Sequence, residues 1–264
     1  MFFFRIKEYL RYQLLSGYRN GHGIHSPFIY DIVSRVFRNK TDKVVVSKIS
    51  GLRKELLSDR RMISVNDLGS GSVKASQRER TRKVCDIARY SSIPEKYGIL
   101  LSNLAREFGG PGIIELGTSL GISSIYMALA CPENTIHTID GCKETLNIAK
   151  ENFGKAGTEN IILHCGSFDD CLPEVLDDKN PPGLVFIDGN HRREPVLKYF
   201  DLIARKSSIH TVVVIDDIYL SHEMKDAWHT IMNYSKVSVS IDLYRLGILF
   251  FRTGINRSHF IVRH

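Results

Sequence analysis

The stretch IIELGTSLGISS, residues 113–124, decides the fold of this chain. A short apolar strand, IIEL, leads into a turn that contains Gly117 and Gly121, and the helical stretch GISSIYMALA follows. Glycine permits a tight turn and a close approach by a ligand. The free N–H groups at the start of a helix bind an anionic group. The stretch therefore predicts a strand, a ligand-binding turn and a helix.

The same alternation continues through the rest of the chain. The apolar stretches TIHTID, NIILHC, GLVFID and HTVVVID each precede a helical stretch, and KVSVSIDL and LGILFF close the series with no helix between them. Five βα units and a terminal hairpin predict an α/β fold with a doubly wound, Rossmann-like sheet of seven strands. Ligands of such sheets bind beyond the C-terminal strand ends, so functional residues are expected in the turns that follow strands.

The first part of the chain has a different pattern. Apolar residues recur at helical spacing in FFFRIKEYLRYQLL, FIYDIVSRVF and VVSKISGLRKELL, and Ser26 and Pro27 are typical of a helix start. RERTRKVCDIARY is also predicted to be helical, whereas the Gly/Ser-rich residues 61–76 are predicted to form a loop over a pocket. We expect a helical extension or lid over residues 1–93 and the sheet domain over residues 94–264.

Composition and charge narrow the class of protein. The chain has 264 residues, of which 43% are hydrophobic and 25% charged. This composition excludes a disordered or collagen-like protein. Residues 1–110 carry 21 Lys and Arg against 10 Asp and Glu, whereas residues 111–264 carry 15 against 19. The basic first part suggests nucleic acid, acidic lipid or an anionic small molecule as a partner, although a set of solvated helices explains it equally well. No nucleic-acid-binding motif supports the first option.

Cysteine usage and apolar runs indicate the compartment. Five scattered cysteines without a CxxC pair favour neither a disulfide framework nor a zinc site, and they predict a cytoplasmic protein. The apolar runs have strand length, which predicts no membrane span, and Arg5, Lys7 and Glu8 interrupt any secretory signal. The first helix is expected to dock on protein, with a homodimer contact as one option and a membrane surface as the alternative.

The glycine turn does not fit a dinucleotide site. Read from Gly117, the second and third glycine positions of G-x-G-x-x-G hold Ser119 and Ile122, which disfavours NAD. The form E-L-G-T-S-x-G instead resembles motif I of the class I S-adenosylmethionine (SAM) methyltransferases, in the catechol and caffeoyl-CoA O-methyltransferase branch. The resemblance covers roughly residues 95–252.

This resemblance implies a SAM site along the strand ends. In the family, Gly117 and Gly121 would frame the methionine end, with Glu115 and Ser119 nearby; the alternative is a plain βα turn. Asp140 ends the next strand at the offset where an acidic residue meets ribose hydroxyls, and the alternative is a helix cap. The remaining predicted cofactor-binding residues are Gly141, Ser167, Phe168 and Asp188. Phe168 would stack on adenine, or it is a core aromatic.

Three carboxylates follow adjacent predicted strands. Asp188 in FIDGNH and Asp216-Asp217 in VVVIDDIYL would repel one another unless they are protonated, hydrogen-bonded or share a cation. The metal-dependent relatives carry Asp and Asp-Asn at these positions, which implies Mg²⁺ or another divalent cation. The alternative is that Asp188 binds the cofactor or backbone amides while Asp217 caps the next helix.

His191 is the predicted catalytic base. It stands where the catechol-type enzymes place a catalytic Lys, and an imidazole can accept a proton near neutral pH. Together with Asp188 it forms the predicted catalytic pair, and the neighbouring Arg192 and Arg193 suggest an anionic acceptor. We expect a SAM-dependent O-methyltransferase of a small acceptor, with or without a divalent metal. The alternatives are a metal-free N- or RNA methyltransferase and a SAM-binding protein without catalysis.

Overall fold

The computed structural model describes residues 2–17, 24, 26–39, 42–65, 80–177 and 180–264. The helices are α1 Phe2–Leu15, α2 Pro27–Asp31 with a π-helical turn Ile32–Val36, α3 Lys43–Ser58, α4 Val84–Ser91, α5 Glu95–Phe108, α6 Ile122–Ala130, α7 Lys143–Ala156, α8 Phe168–Leu176, α9 Arg193–Lys206 and α10 His222–Met232. The strands are β1 Met62–Val65, β2 Arg80–Lys83, β3 Ile113–Leu116, β4 Ile136–Asp140, β5 Ile161–Cys165, β6 Leu184–Ile187, β7 Val212–Ile215, β8 Val239–Asp242, β9 Gly247–Phe250 and β10 Ser258–Ile261.

The predicted sheet architecture is confirmed and extended by one strand. The main sheet has the order β10-β8-β9-β7-β6-β3-β4-β5, in which β3 to β7 are parallel and β9 runs antiparallel to both β7 and β8. The chain order reverses direction at β3, between β4 and β6, which is the switch point where ligands of such sheets bind. The additional strand β10 pairs parallel to β8.

Alternating side chains of the strands build two cores, one on each face of the sheet. Ile113 and Val212 belong to the core that also contains residues of α5 to α7. Their chain neighbours Ile114 and Val213 belong to the core beneath α8 to α10. Because both faces are covered, the central strands β6 and β7 are apolar throughout rather than alternating with polar residues. This three-layer packing makes the sheet a rigid platform for the turns at its edge.

The second core contains the single tryptophan of the chain. Trp228 on α10 is 1% exposed, and its ring lies against Gly247 at the start of β9. A Cβ atom at Gly247 would lie 2.5 Å from this ring, so a larger residue would displace it. The contact fixes α10 against the terminal hairpin.

The amino-terminal helices form where they were predicted, and two predictions in this region need correction. Ser26 caps α2, and its side chain accepts a hydrogen bond from Ile29 N. The prediction of one helix from residue 78 is wrong in its first part, because Arg80–Lys83 forms a strand that pairs antiparallel with Met62–Val65. Long-range pairing overrides the local pattern there. The loop predicted over residues 61–76 is also wrong in its first part, because Met62–Val65 forms a strand, and residues 66–76 of that loop lie outside the described part of the chain.

Helices of the extension share a core with the sheet. Ile29, Leu52 and Ile87 belong to the same cluster of buried side chains as Ile113. No helix among the described residues is long and apolar enough to span a bilayer.

Candidate active site

The turn after β3 is fastened to the strand ends on both sides. Gly117 N donates to Ile139 O at 2.9 Å, and Asp188 N donates to Leu116 O at 2.8 Å. Gly117 has a φ of 108°, and a Cβ atom there would lie 2.1 Å from the carbonyl oxygen of Asp188. Only glycine fits this close crossing, as the sequence pattern indicated.

Asp140 holds the turn to the end of β4. Its Oδ2 accepts a hydrogen bond from Ser119 N at 2.8 Å, and its Oδ1 accepts one from Cys142 N at 2.9 Å. Ser119 and Gly121 both have positive φ values, 47° and 81°, so the backbone between them curls back toward Asp140. The predicted ribose-binding carboxylate is therefore also the residue that shapes the glycine turn.

Glu115 lies beneath the turn. It is 0% exposed, and its Oε2 accepts hydrogen bonds from the hydroxyls of Ser124 and, at 2.6 Å, Thr138. Thr118 completes this hydroxyl cluster through a 2.6 Å contact with Thr138. Burial raises the pKa of Glu115 to about 7, against the opposing effect of the hydroxyl donors. Glu115 thus supports the turn from the protein side.

Gly141 and Ser167 follow β4 and β5. Both are partly buried, and Gly166 N donates to Asp140 O at 3.1 Å, which draws the two strand ends together. Ser167 caps α8, since its hydroxyl accepts from Asp170 N at 3.2 Å. Its hydroxyl also donates to the Asp170 carboxylate at 2.6 Å.

Phe168 forms a wall beside the end of β6. Its ring packs edge-on against Tyr199, with 5.5 Å between ring centroids, and lies against Gly189, where a Cβ would be 2.6 Å away. It is 9% exposed. Asn190 Nδ2 donates to the Tyr199 hydroxyl at 3.3 Å, while Asn190 Oδ1 is buried without a hydrogen-bond partner. The protein thus leaves one acceptor unsatisfied beside this aromatic wall.

Asp188 and His191 come together after β6. His191 Nε2 lies 3.6 Å from Asp188 Oδ1, and both side chains are partly exposed, at 27% and 17%. Burial, followed by the charges of Asp216 and Asp217, raises the pKa of Asp188 well above its usual range, and Arg245 opposes this shift. The pair can accept and hold a proton at the sheet edge.

Asp216 and Asp217 lie beside an arginine. Arg245 Nε donates to Asp216 Oδ1 at 2.8 Å and Arg245 Nη2 donates to Asp216 Oδ2 at 2.7 Å, while Asp217 Oδ1 lies 3.9 Å from Arg245 Nε. Burial and the Asp216 charge raise the pKa of Asp217. Both Asp216 oxygens are engaged, and the described residues contain no cluster of His, Cys, Asp or Glu suited to a metal ion. This arrangement does not fit the expected divalent cation.

Unusual backbone conformations gather at this edge. Four described residues other than glycine have positive φ: Ser119, Asn190, Asp217 and Tyr244. Each follows a strand end of the main sheet or lies in the β8–β9 turn beside it. Such conformations cost roughly 1 to 3 kcal/mol each and cluster at functional sites.

Sequence reasoning missed Arg245 and the tyrosines near it. The Tyr97 ring lies 5.8 Å from the Arg245 guanidinium, and Tyr244 stacks on Tyr219 with 5.7 Å between centroids. One signal was available. A hairpin strand antiparallel to β7 must start where β7 ends, which brings the preceding Arg245 close to Asp216.

Helix α1 reaches the same edge from the amino terminus. The Tyr244 hydroxyl donates to Arg5 O at 2.9 Å, and Phe4 packs on His222 with 3.9 Å between centroids. Glu8, which is 5% exposed, pairs with Lys225 Nζ at 2.7 Å. Helix α1 thus borders the Asp217 side of the candidate site.

Sequence comparison finds similarity to methyltransferases. A family model described as a methyltransferase domain matches residues 114–218. A catechol O-methyltransferase of Niastella koreensis is 30% identical over 138 residues, which are 51% of this chain and 62% of that protein. A putative O-methyltransferase of Mycolicibacterium smegmatis is 30% identical over 131 residues, 48% of this chain and 60% of that protein. The chain thus spans about three fifths of the length of these relatives.

Solved structures share the fold. An O-methyltransferase of Streptomyces achromogenes in complex with SAM has a TM-score of 0.55 at 21% identity, covering 81% of this chain and 91% of that one. An O-methyltransferase of Bacillus cereus in complex with S-adenosylhomocysteine has a TM-score of 0.55 at 16% identity, covering 84% and 97%. The predicted resemblance to methyltransferases is thus confirmed: residues 114–218 match the methyltransferase-domain model, and the fold is the one that these O-methyltransferase structures share.

Proposed function

We propose that this protein is a SAM-dependent methyltransferase that methylates an oxygen atom of a small acceptor. The observation that carries the proposal is the turn after β3, which Asp140 fastens through Ser119 N at 2.8 Å, with the Asp188–His191 pair beside it. This arrangement unites a cofactor turn and a proton acceptor at the switch point of the sheet. The relatives named for O-methylation support the reaction type.

The strand ends supply the cofactor site. The proposed contacts are the methionine end with Gly117, Ser119 and Gly121, the ribose with Asp140 and Gly141, and adenine with Ser167, Phe168 and the backbone near Asp188. A carboxylate oxygen accepts more than one hydrogen bond, so Asp140 can hold both the turn and a ribose. The unsatisfied Asn190 Oδ1 beside the aromatic wall suits a donor of the adenine ring. Glu115 acts from below, by supporting the turn.

His191 is the proposed base. The cofactor supplies a methyl group on a positively charged sulfur. His191 accepts the proton of the acceptor hydroxyl, and Asp188, 3.6 Å away, orients the imidazole and stabilises its positive charge. Arg192 and Arg193 at the start of α9 support an acceptor with an anionic substituent.

The helical extension, residues 1–93, is proposed to cap the acceptor side of the domain formed by residues 94–264. The contact between Tyr244 and Arg5 supports this role, because it puts α1 beside Asp217.

The described cysteines are all free thiols, which supports a reducing, cytoplasmic location.

A homodimer through α1 is also proposed. Phe3, Leu10 and Leu14 are 83%, 56% and 85% exposed and follow one another at helical spacing. An apolar stripe of this kind is typical of an interaction surface.

Calorimetric titration of S-adenosylhomocysteine tests the cofactor site. We expect saturable binding to the wild-type protein and binding at least about tenfold weaker for Asp140→Ala, because that variant loses the anchor of the turn. Asp226→Ala removes an exposed carboxylate on α10 and is the matched control. Absence of binding to the wild-type protein would overturn the proposal. Transfer of label from methyl-labelled SAM to a panel of phenols and catechols then tests the acceptor class.

A further inference from the structure

Arg245 makes a two-point contact with a carboxylate that has no exposed surface. Two parallel hydrogen bonds, of 2.8 and 2.7 Å, join its Nε and Nη2 to the two oxygens of Asp216. Asp216 is 0% exposed, and the Arg245 side chain is 27% exposed. A buried pair of this kind is strong because the guanidinium fork matches the carboxylate geometry.

The fold fixes both partners. Gly247 pairs with Ile215 in the antiparallel register of β9 and β7, so the residues just outside these positions meet at one edge. Ile218 N donates to Arg245 O at 3.2 Å, which closes the contact from the other side. Arg245 is thus held by backbone contacts as well as by its side chain.

The charge of Arg245 lies where the carboxylates converge. Asp217 Oδ1 is 3.9 Å from Arg245 Nε, and the charge of Arg245 lowers the pKa of Asp188 against the larger effect of burial. Hence one fixed positive charge already interacts with the three carboxylates that were expected to share a divalent cation.

Part of the guanidinium remains available. No hydrogen bond joins Arg245 Nη1 to another described residue, and the Tyr97 ring lies 5.8 Å from the central carbon. The two N–H groups of Nη1 can therefore donate to an oxygen of a ligand. Tyr97 would flank that ligand with an aromatic face.

We propose that the Arg245 guanidinium replaces the divalent cation of metal-dependent relatives and that its Nη1 binds the hydroxyl oxygen of the methyl acceptor. The inference rests on the proposed function. As the acceptor O–H bond breaks, His191 takes the proton, and Arg245 stabilises the negative charge that develops on the oxygen. The oxygen forms its bond to the methyl carbon while the carbon–sulfur bond breaks, and sulfur leaves as a neutral thioether. No metal is needed in this scheme.

Electron paramagnetic resonance of Mn²⁺ tests the replacement without an acceptor. We expect the wild-type protein to leave the signal of free Mn²⁺ unchanged. Arg245→Ala should take up one Mn²⁺ per chain, because it releases the carboxylates, and Arg245→Ala combined with Asp216→Asn should lose this uptake. Arg252→Ala, which removes a cation near the other end of β9, is the control and should behave as the wild type.

Two results would overturn the inference. One is uptake of Mn²⁺ by the wild-type protein that Asp216→Asn abolishes, and the other is no uptake by folded Arg245→Ala. Should Arg245→Ala fail to fold in a thermal melt, Arg245→Gln, which removes the positive charge and one of the two hydrogen bonds to Asp216, replaces it with the same expectation. Titration of S-adenosylhomocysteine with magnesium and with EDTA separates the two proposals. No binding in either condition rejects the methyltransferase, whereas binding that requires magnesium rejects only the role of Arg245.

Discussion

Glu115, a single buried residue beneath the glycine turn, makes the stability of the protein depend on pH. Its carboxylate has no exposed surface, and its pKa is raised from 4.5 to about 7 by burial. The folded state therefore binds this proton more tightly than the unfolded state does. This contribution to stability is fully present below pH 4.5 and is lost progressively as the pH rises to about 7.

Glu115→Gln should remove that dependence. Because glutamine keeps the shape and an acceptor oxygen for Ser124 and Thr138, we expect the variant to be more stable than the wild type above pH 7, by up to about 3 kcal/mol. Urea unfolding between pH 4 and pH 9 measures the effect. Glu133→Gln, at an exposed position, should show the same change of the free energy of unfolding with pH as the wild type. If the free energy of unfolding of Glu115→Gln changed with pH as that of the wild type does, Glu115 would not be the source of the pH dependence.

Replacement of His191 should lower the turnover rate and leave the affinity for the cofactor product unchanged. Removal of a general base lowers rates by roughly 10² to 10⁴, so His191→Ala should lose turnover to this extent and keep its affinity for S-adenosylhomocysteine. Steady-state kinetics and calorimetry measure the two quantities. His210→Ala, on the exposed loop before β7, is the control. Full turnover in His191→Ala would remove it as the base.

At the scale of elements, the turn after β3 depends on a position that tolerates no side chain. In Gly117→Ala, the new Cβ would meet the Asp188 carbonyl oxygen at 2.1 Å in a backbone with φ of 108°. We expect a loss of at least about 2 kcal/mol in the free energy of unfolding, together with weaker binding of S-adenosylhomocysteine.

A second glycine supplies the matched control for this prediction. Gly51 lies inside α3, and a Cβ there would meet nothing within 4 Å. Gly51→Ala should stabilise the protein by about 0.5 to 1 kcal/mol, because alanine has the higher helix propensity. Thermal or urea unfolding measures both variants. Equal stability of Gly117→Ala and the wild type would show that the turn can shift to accept a side chain.

Some strands could be predicted from their own sequence, whereas others could not. Strands β3 to β9 are short, mostly apolar runs between turns, and this pattern predicts them. The strand Arg80–Lys83, with sequence RTRK, has no such pattern and exists through its pairing with Met62–Val65. Strand β10 likewise depends on its partner β8. The partners of Arg245 were hidden for the same reason, since Asp216 lies 29 residues away and meets it only in the folded sheet.

At the scale of the whole molecule, the amino-terminal helices are joined to the rest of the protein by apolar burial more than by their charges. Arg61 pairs with Glu151 at 3.0 Å and Lys155 with Glu55 at 2.7 Å, and all four side chains are about half exposed. Exposed pairs of this kind contribute about 0 to 1 kcal/mol each. The shared core that contains Leu52 and Ile113 is therefore the main attachment.

The outer face of α1 should set the oligomeric state. Leu10 is 56% exposed, and a charge there would oppose burial against a second copy. We expect the wild type to sediment as a dimer and Leu10→Glu as a monomer in analytical ultracentrifugation. Tyr90→Glu changes an aromatic residue on α4 that is 74% exposed, and it should leave the dimer intact. A wild-type monomer at all concentrations would reject the dimer, and vesicle binding by that monomer would point to a membrane surface.

The packing of Trp228 against Gly247 gives the protein a built-in optical reporter. Because the chain has one tryptophan and its indole is 1% exposed, the fluorescence of the folded protein comes from one apolar environment and should be blue-shifted. Gly247 begins the strand that follows Arg245, so a change in emission reports on the hairpin that carries the guanidinium. Local opening of that hairpin can therefore be followed in real time without a label.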